Sequence, residues 1–171
     1  MRGREQQQAF ETLLRKHQRI VLKIVSVYAR DPEDRRDLTQ EICVQLWRSF
    51  PGFDEKRARF STWMYRVALN VAISQTRRPS RQEDPLDPQQ LETLTGAEGI
   101  VEQDERIETL YGFIKQLDRL NRALILLYLE DRGYDEIAEI LGISPTNVAT
   151  KISRIKQKLR NQMTGAAPAG A

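Results

Sequence analysis

Between Ser144 and Met163 the chain carries five bases, Lys151, Arg154, Lys156, Lys158 and Arg160, and no acid. Apolar residues recur through the same stretch at Val148, Ile152, Ile155 and Leu159, the spacing of one buried helix stripe. With that stripe turned inward, Thr146, Asn147, Thr150, Lys151, Ser153 and Arg154 are left to solvent. These types can read base edges: Asn pairs with adenine and Lys or Arg with guanine, each good pair contributing about 1–3 kcal/mol of discrimination. Lys156, Lys158 and Arg160 lie farther along and suit phosphates, which supply affinity and salt dependence but no sequence information.

A second cluster offers different chemistry. In Phe53-Asp54-Glu55-Lys56-Arg57-Ala58-Arg59-Phe60, bases stand between aromatics. Lys56, Arg57 and Arg59 can hold a single-stranded backbone while rings stack on bases, at about 1–3 kcal/mol per base. Enzymatic and metal chemistry find little material. Cys43 is the only cysteine, so an intrachain disulfide and a thiolate zinc site are excluded, and a reducing cytoplasm is the expected setting. His17 is the only histidine and lies near an apolar helix face, so a structural role is expected of it. Neither a cofactor nor a metal is called for.

These side chains need elements to position them. Tyr134 to Leu141 reads as a short helix burying Ile137, Ala138, Ile140 and Leu141. Gly142-Ile143-Ser144 reads as a turn, and Pro145 takes a first helical position behind a Ser144 cap. Short helix, turn and longer basic helix make a helix-turn-helix, whose second helix can lie in the major groove. Upstream, the leucine and isoleucine spacing from Ile107 to Leu117 and from Leu120 to Leu127 predicts two supporting helices.

In the first half, apolar positions from Phe10 to Tyr28 predict one helix. Asp31-Pro32-Glu33-Asp34 predicts the capped start of a second, which ends near Phe50 before Pro51-Gly52. Ser61 or Thr62 is expected to cap a third, running to about Arg77 with Trp63, Met64, Val67, Ala68, Val71 and Ala72 inward. Residues 79–101 hold three prolines, two glycines and an excess of acids, and read as a flexible linker. The expected organisation is a domain at 1–78, the linker, a domain at 102–163 and a disordered tail at 164–171. The fold class is all-α, two small helical domains, the second a winged-helix-like bundle of three or four helices.

Charge follows this division. Residues 1–76 carry 14 bases against 9 acids, whereas residues 102–171 carry 10 of each, with the bases gathered at the end. No apolar run approaches a membrane span, and the polar start lacks the apolar core of a signal peptide.

The span from about Phe10 to Met163 resembles the extracytoplasmic-function (ECF) sigma factors of the sigma-70 family. Asp37-Leu38-Thr39-Gln40-Glu41 with Leu46-Trp47-Arg48 is similar to that family's polymerase-binding helix, and Phe60 to Asn70 to its promoter-melting helix. Tyr134 to Ser144 is similar to its helix-turn-helix. The resemblance implies a non-enzymatic bacterial initiation factor in the cytoplasm. Asp37, Leu38, Gln40, Glu41, Gln45 and Trp47 would meet the clamp helices of the RNA polymerase largest subunit, with the second domain near the flap. Lys56, Arg57, Arg59, Phe60, Ser61, Trp63, Arg66 and Asn70 would take the opened minus-ten element, although helical spacing also fits Trp63 to the core. Ser144, Thr146, Asn147, Thr150, Lys151, Arg154 and Lys158 would read duplex minus-thirty-five DNA. The linker would thread toward the RNA exit path. Many relatives are held inactive by an anti-sigma protein.

Five residues depart from the family pattern. Ser74 stands where many relatives have Asp, and Asp118-Arg119 replaces a common Pro-Glu. Asn147 and Ala149 replace the usual Thr and Lys of the recognition helix, which bears on the promoter read. Two rival readings are a stand-alone helix-turn-helix regulator and a serine-recombinase-type enzyme. The first leaves the Asp37 to Glu41 face without a role, and the second needs an α/β catalytic domain whose strand pattern is missing.

Overall fold

The computed structural model describes residues 2–74 and 105–165, and all the elements among them are helical. The expected linker at 79–101, the end of the third helix near Arg77 and the tail from residue 166 lie outside the described residues. Two compact units divide between Glu102 and Gln103.

The N-terminal unit holds α1 (Arg2–Lys16), α2 (Gln18–Tyr28), α3 (Pro32–Ser49), a 3₁₀ turn (Phe50–Gly52) and α4 (Phe60–Ile73). The single helix expected from Phe10 to Tyr28 is two, broken at His17 (φ −111°, ψ 19°). The break falls where two surfaces must be covered at once. Phe10 on α1 packs on Trp47 and Phe50, at ring distances of 5.2 and 5.3 Å, while the His17 ring turns onto Phe60 at 5.2 Å. Beyond the break, Ile20, Val21, Ile24, Val25, Val27 and Tyr28 are all buried, so α2 is enclosed on most sides. A helix with so wide an apolar face belongs at the centre of its unit.

The start of α3 is as the residues dictate. Asp31, extended at the cap position, accepts from the Asp34 N–H at 2.7 Å, with Pro32 first in the helix and Glu33 and Asp34 at its positive end. The expected Ser61 or Thr62 cap of α4 is not used. Arg59 holds the cap position without a side-chain bond, and both hydroxyl residues lie inside the first turn, Thr62 only 8% exposed. Helix propagation began two residues early because Phe60 is drawn under the helix start into the ring cluster.

The C-terminal unit holds α5 (Glu105–Gln116), α6 (Arg119–Leu129), α7 (Tyr134–Leu141) and α8 (Pro145–Gly165). It is a four-helix bundle, and among the described residues it has no strand to form a wing. The last helix runs to Gly165, so Thr164 and Gly165 belong to it and not to the expected tail. Asp118 caps α6 by accepting from the Asn121 N–H at 2.8 Å, which gives the departure at Asp118-Arg119 a physical role. Ala123, Leu124, Ile125, Leu126 and Leu127 are buried in succession, making α6 the axis on which α7 and α8 pack.

The end of α6 is strained. The Asp131 N–H reaches the Tyr128 carbonyl and the Arg132 N–H reaches the Leu127 carbonyl, a Schellman closure with Asp131 at φ 61°. Glycine is at ease there and aspartate is not. Asp131→Gly is expected to stabilise the C-terminal unit by about 1 kcal/mol, read as a higher denaturation midpoint at unchanged slope.

Candidate nucleic-acid interface

Pro145 opens α8 behind Ser144, whose hydroxyl accepts from the Asn147 N–H at 3.1 Å. Gly142, at φ 70°, makes the left-handed turn that ends α7 and lets the chain reverse in three residues. Val148, Ile152, Ile155 and Leu159 are buried as the spacing requires, so the rotation of α8 about its own axis is fixed by its core contacts. That rotation leaves Thr146, Asn147, Thr150, Ser153 and Arg154 exposed and Lys151 half-buried on one side. The Thr150 hydroxyl donates to the Thr146 carbonyl at 3.0 Å, which uses its hydrogen and leaves its oxygen able to accept. Lys158 and Arg160 are exposed farther along, while Lys156 is half-buried and turned toward α6.

At the start of α7, Arg132 and Glu136 form a half-buried ion pair at 2.9 Å that ties the inter-helix turn to the first helix of the motif. Spacing alone did not single out this pair. Arg132 lies in the turn before the helix, so the pair joins the turn to the helix and is not an i, i+4 pair on one helix surface.

Ser144 serves the fold before it serves a ligand. Ser144→Ala is expected to cost about 1 kcal/mol of stability. Ser144→Asp should keep the cap yet lower duplex affinity, since it turns a carboxylate toward phosphates; equal DNA binding by both variants would remove Ser144 from the interface.

In the N-terminal unit the loop before α4 is built by the carboxylate of Asp54, which residue spacing does not single out. It accepts from the Lys56 N–H at 3.0 Å and lies 3.9 Å from the Arg57 guanidinium, while its carbonyl accepts from the Arg57 and Ala58 N–H groups. Asp is a frequent turn-former of this kind, and that was the available signal. The turn leaves Lys56, Arg57 and Arg59 exposed. Arg66 and Asn70, one turn apart on α4, are exposed beside them, and Ser61 is half-buried.

The rings behind this loop form one cluster. Trp63 lies 5.1 Å from Phe53, 5.3 Å from Phe60 and 6.2 Å from Phe50. Phe60 requires a correction: at 8% exposed and walled by His17, Phe53 and Trp63, it is a packing residue and offers no face to a base. Trp63 is half-buried, so it joins the packing while keeping part of its ring outward.

On α3, Asp37 and Gln45 are exposed and Gln40 and Glu41 half-buried, one polar face along the helix. Leu38 also requires a correction. It is 1% exposed, part of the core with Ile42 and Leu46, and can serve docking only by holding the helix. Trp47 is half-buried against Phe10. Among the described residues no group of three or more His, Cys, Asp or Glu is placed to hold a metal ion, and no helix is long and apolar enough to cross a membrane.

Residues 13–82 match the family Sigma-70 region 2, and residues 107–159 match Sigma-70, region 4. The chain is 28% identical over 169 residues to the ECF RNA polymerase sigma-E factor of Escherichia coli K12, an alignment that spans 92% of this chain and 87% of that protein. To the RNA polymerase sigma-H factor of Pseudomonas aeruginosa it is 26% identical over 168 residues, spanning 91% and 86%. Among solved structures, CnrH in complex with the cytosolic domain of CnrY shares the fold, with a TM-score of 0.64 at 21% identity over 94% of this chain and 91% of that one. Two regions of one family, matched in order over most of the chain and each falling on its own compact unit, show that the protein belongs to the ECF group of the sigma-70 family.

Proposed function

We propose that this protein performs its work through three separate faces. As a sigma factor it binds RNA polymerase core and directs promoter-specific transcription initiation. The polar face of α3, with Asp37, Gln40, Glu41 and Gln45, docks on polymerase. The Asp54-organised loop with Arg66 and Asn70 takes the opened minus-ten strand. The exposed side of α8 reads duplex minus-thirty-five DNA, with Asn147, Lys151 and Arg154 on base edges and Lys158 on the backbone.

The observation that carries this assignment is the rotation of α8. Its buried stripe of Val148, Ile152, Ile155 and Leu159 turns Asn147 and Arg154 outward behind a capped start. A polar α3 face supports the docking role, since a partner presenting arginines gains most from acids it meets in register. The region 2 match gives the first unit a role that a stand-alone regulator would leave empty. The protein carries out no reaction of its own in this reading and works in the bacterial cytoplasm. An anti-sigma partner would act by covering these same faces.

Each DNA-binding face is small, and tethering through polymerase raises the effective concentration of one once the other has bound. The free protein is therefore expected to bind promoter duplex poorly. The decisive experiment is transcription from a genomic fragment library by bacterial core polymerase with and without this protein. New start sites sharing two spaced upstream elements are the expected result. Their absence, together with failure to co-purify with a cognate core enzyme, would sink the assignment.

A further inference from the structure

Spacing placed Lys156 among the phosphate ligands, but its Nζ lies 4.1 Å from the centroid of the Tyr128 ring, across the contact between α8 and α6. We propose that Tyr128 and Lys156 form a cation–π staple that sets the angle at which α8 is presented to DNA, which makes Lys156 a positioning residue. The inference rests on α8 being the helix that reads DNA.

Three observations converge. Lys156 follows Ile155, which is 3% exposed, so its side chain leaves α8 at the rim of the buried stripe, away from the side that carries Asn147 and Arg154. Its stem runs over α6 and its ammonium ends on a ring face, the negative side of the aromatic quadrupole, well inside the roughly 6 Å at which such pairs attract. Tyr128 is the next-to-last residue of α6, where the helix dipole also favours a cation. The ring itself is anchored, because the five residues before it are buried in succession.

Lever length gives the staple its effect. Lys156 lies nine residues beyond Asn147, roughly 14 Å along the helix, so a tilt of about 10° there shifts the base-facing residues by about 2 Å. That is enough to break a bidentate contact while leaving the helix folded.

The test uses holoenzyme on a promoter fragment recovered from the library transcription and on the same fragment with its upstream element scrambled, titrated across salt. Lys156→Met should lower the affinity ratio between the two fragments by about two- to fivefold and leave the salt slope unchanged. Lys158→Ala, the comparison, should lower the slope by about 0.9. Tyr128→Phe should behave as the parent and Tyr128→Leu as Lys156→Met. A slope lowered by about 0.9 in Lys156→Met with the ratio intact would make Lys156 a phosphate ligand and overturn the proposal. So would an unchanged ratio and slope, or a Tyr128→Phe as defective as Tyr128→Leu. If Lys158→Ala and the Lys151→Ala, Arg154→Ala pair also bind as the parent does, the failure belongs to the assignment of α8 and not to the staple.

Discussion

Replacing Lys151 and Arg154 together by alanine is expected to lower holoenzyme affinity for a promoter's upstream duplex by at least about thirtyfold, from two base contacts at the lower end of 1–3 kcal/mol each. Neither residue is part of the buried stripe that holds α8, so the unit should fold as before. Arg154 is exposed and Lys151 half-buried, and the larger share of the loss is expected from Arg154, whose planar fork can make two bonds to one guanine. Affinity for core polymerase should be unchanged. Measured in parallel by fluorescence anisotropy, a loss of polymerase binding in this variant would overturn the division of roles between the two units.

The second large effect is expected on the opposite side of that division. Gln40→Ala with Glu41→Ala should weaken binding to core polymerase by about tenfold or more, as truncation of polar groups closed in an interface commonly does. Promoter discrimination by whatever holoenzyme still forms should be kept. Both residues are half-buried, so thermal unfolding of the variant belongs beside the binding measurement: a native melting temperature with weakened binding identifies a docking face. Unchanged affinity would move docking elsewhere on the unit, with the exposed Asp37 and Gln45 the next residues to change.

Helix identity was legible wherever local chemistry and core pattern agreed. Asp31-Pro32, Gly142 and Ser144-Pro145 mark their boundaries by capping and turn preferences that act over a few residues, and the structure has helices starting or ending at each. Two helix boundaries that spacing misread were decided at longer range. The break at His17 depends on rings from α3 and α4 that no window around His17 contains. The early start of α4 depends on Phe60 being drawn beneath its own helix, against the weaker local preference of Ser61 and Thr62 for a cap. Site residues followed the same division. Periodicity places Asn147 and Arg154 outside without reference to any other helix. Leu38 and Phe60 came from a motif, and a motif does not say which of its members face inward. The approach of Lys156 to Tyr128 was not legible, because that ring is on another helix, 28 residues away in sequence.

The buried thiol of Cys43 has a practical consequence. It is fully enclosed in α3, and no second thiol exists anywhere in the chain. A thiol reagent can reach it only when the N-terminal unit opens, so its labelling rate in native buffer counts opening events of that unit alone. The C-terminal unit is silent in such an experiment. Pulse labelling followed by mass measurement, at a reagent concentration low enough that reclosing outpaces labelling and referred to the rate of a free thiol, would give the opening free energy of one half of an intact molecule. Under the proposed docking on α3, binding of polymerase would register as a slowing of that clock.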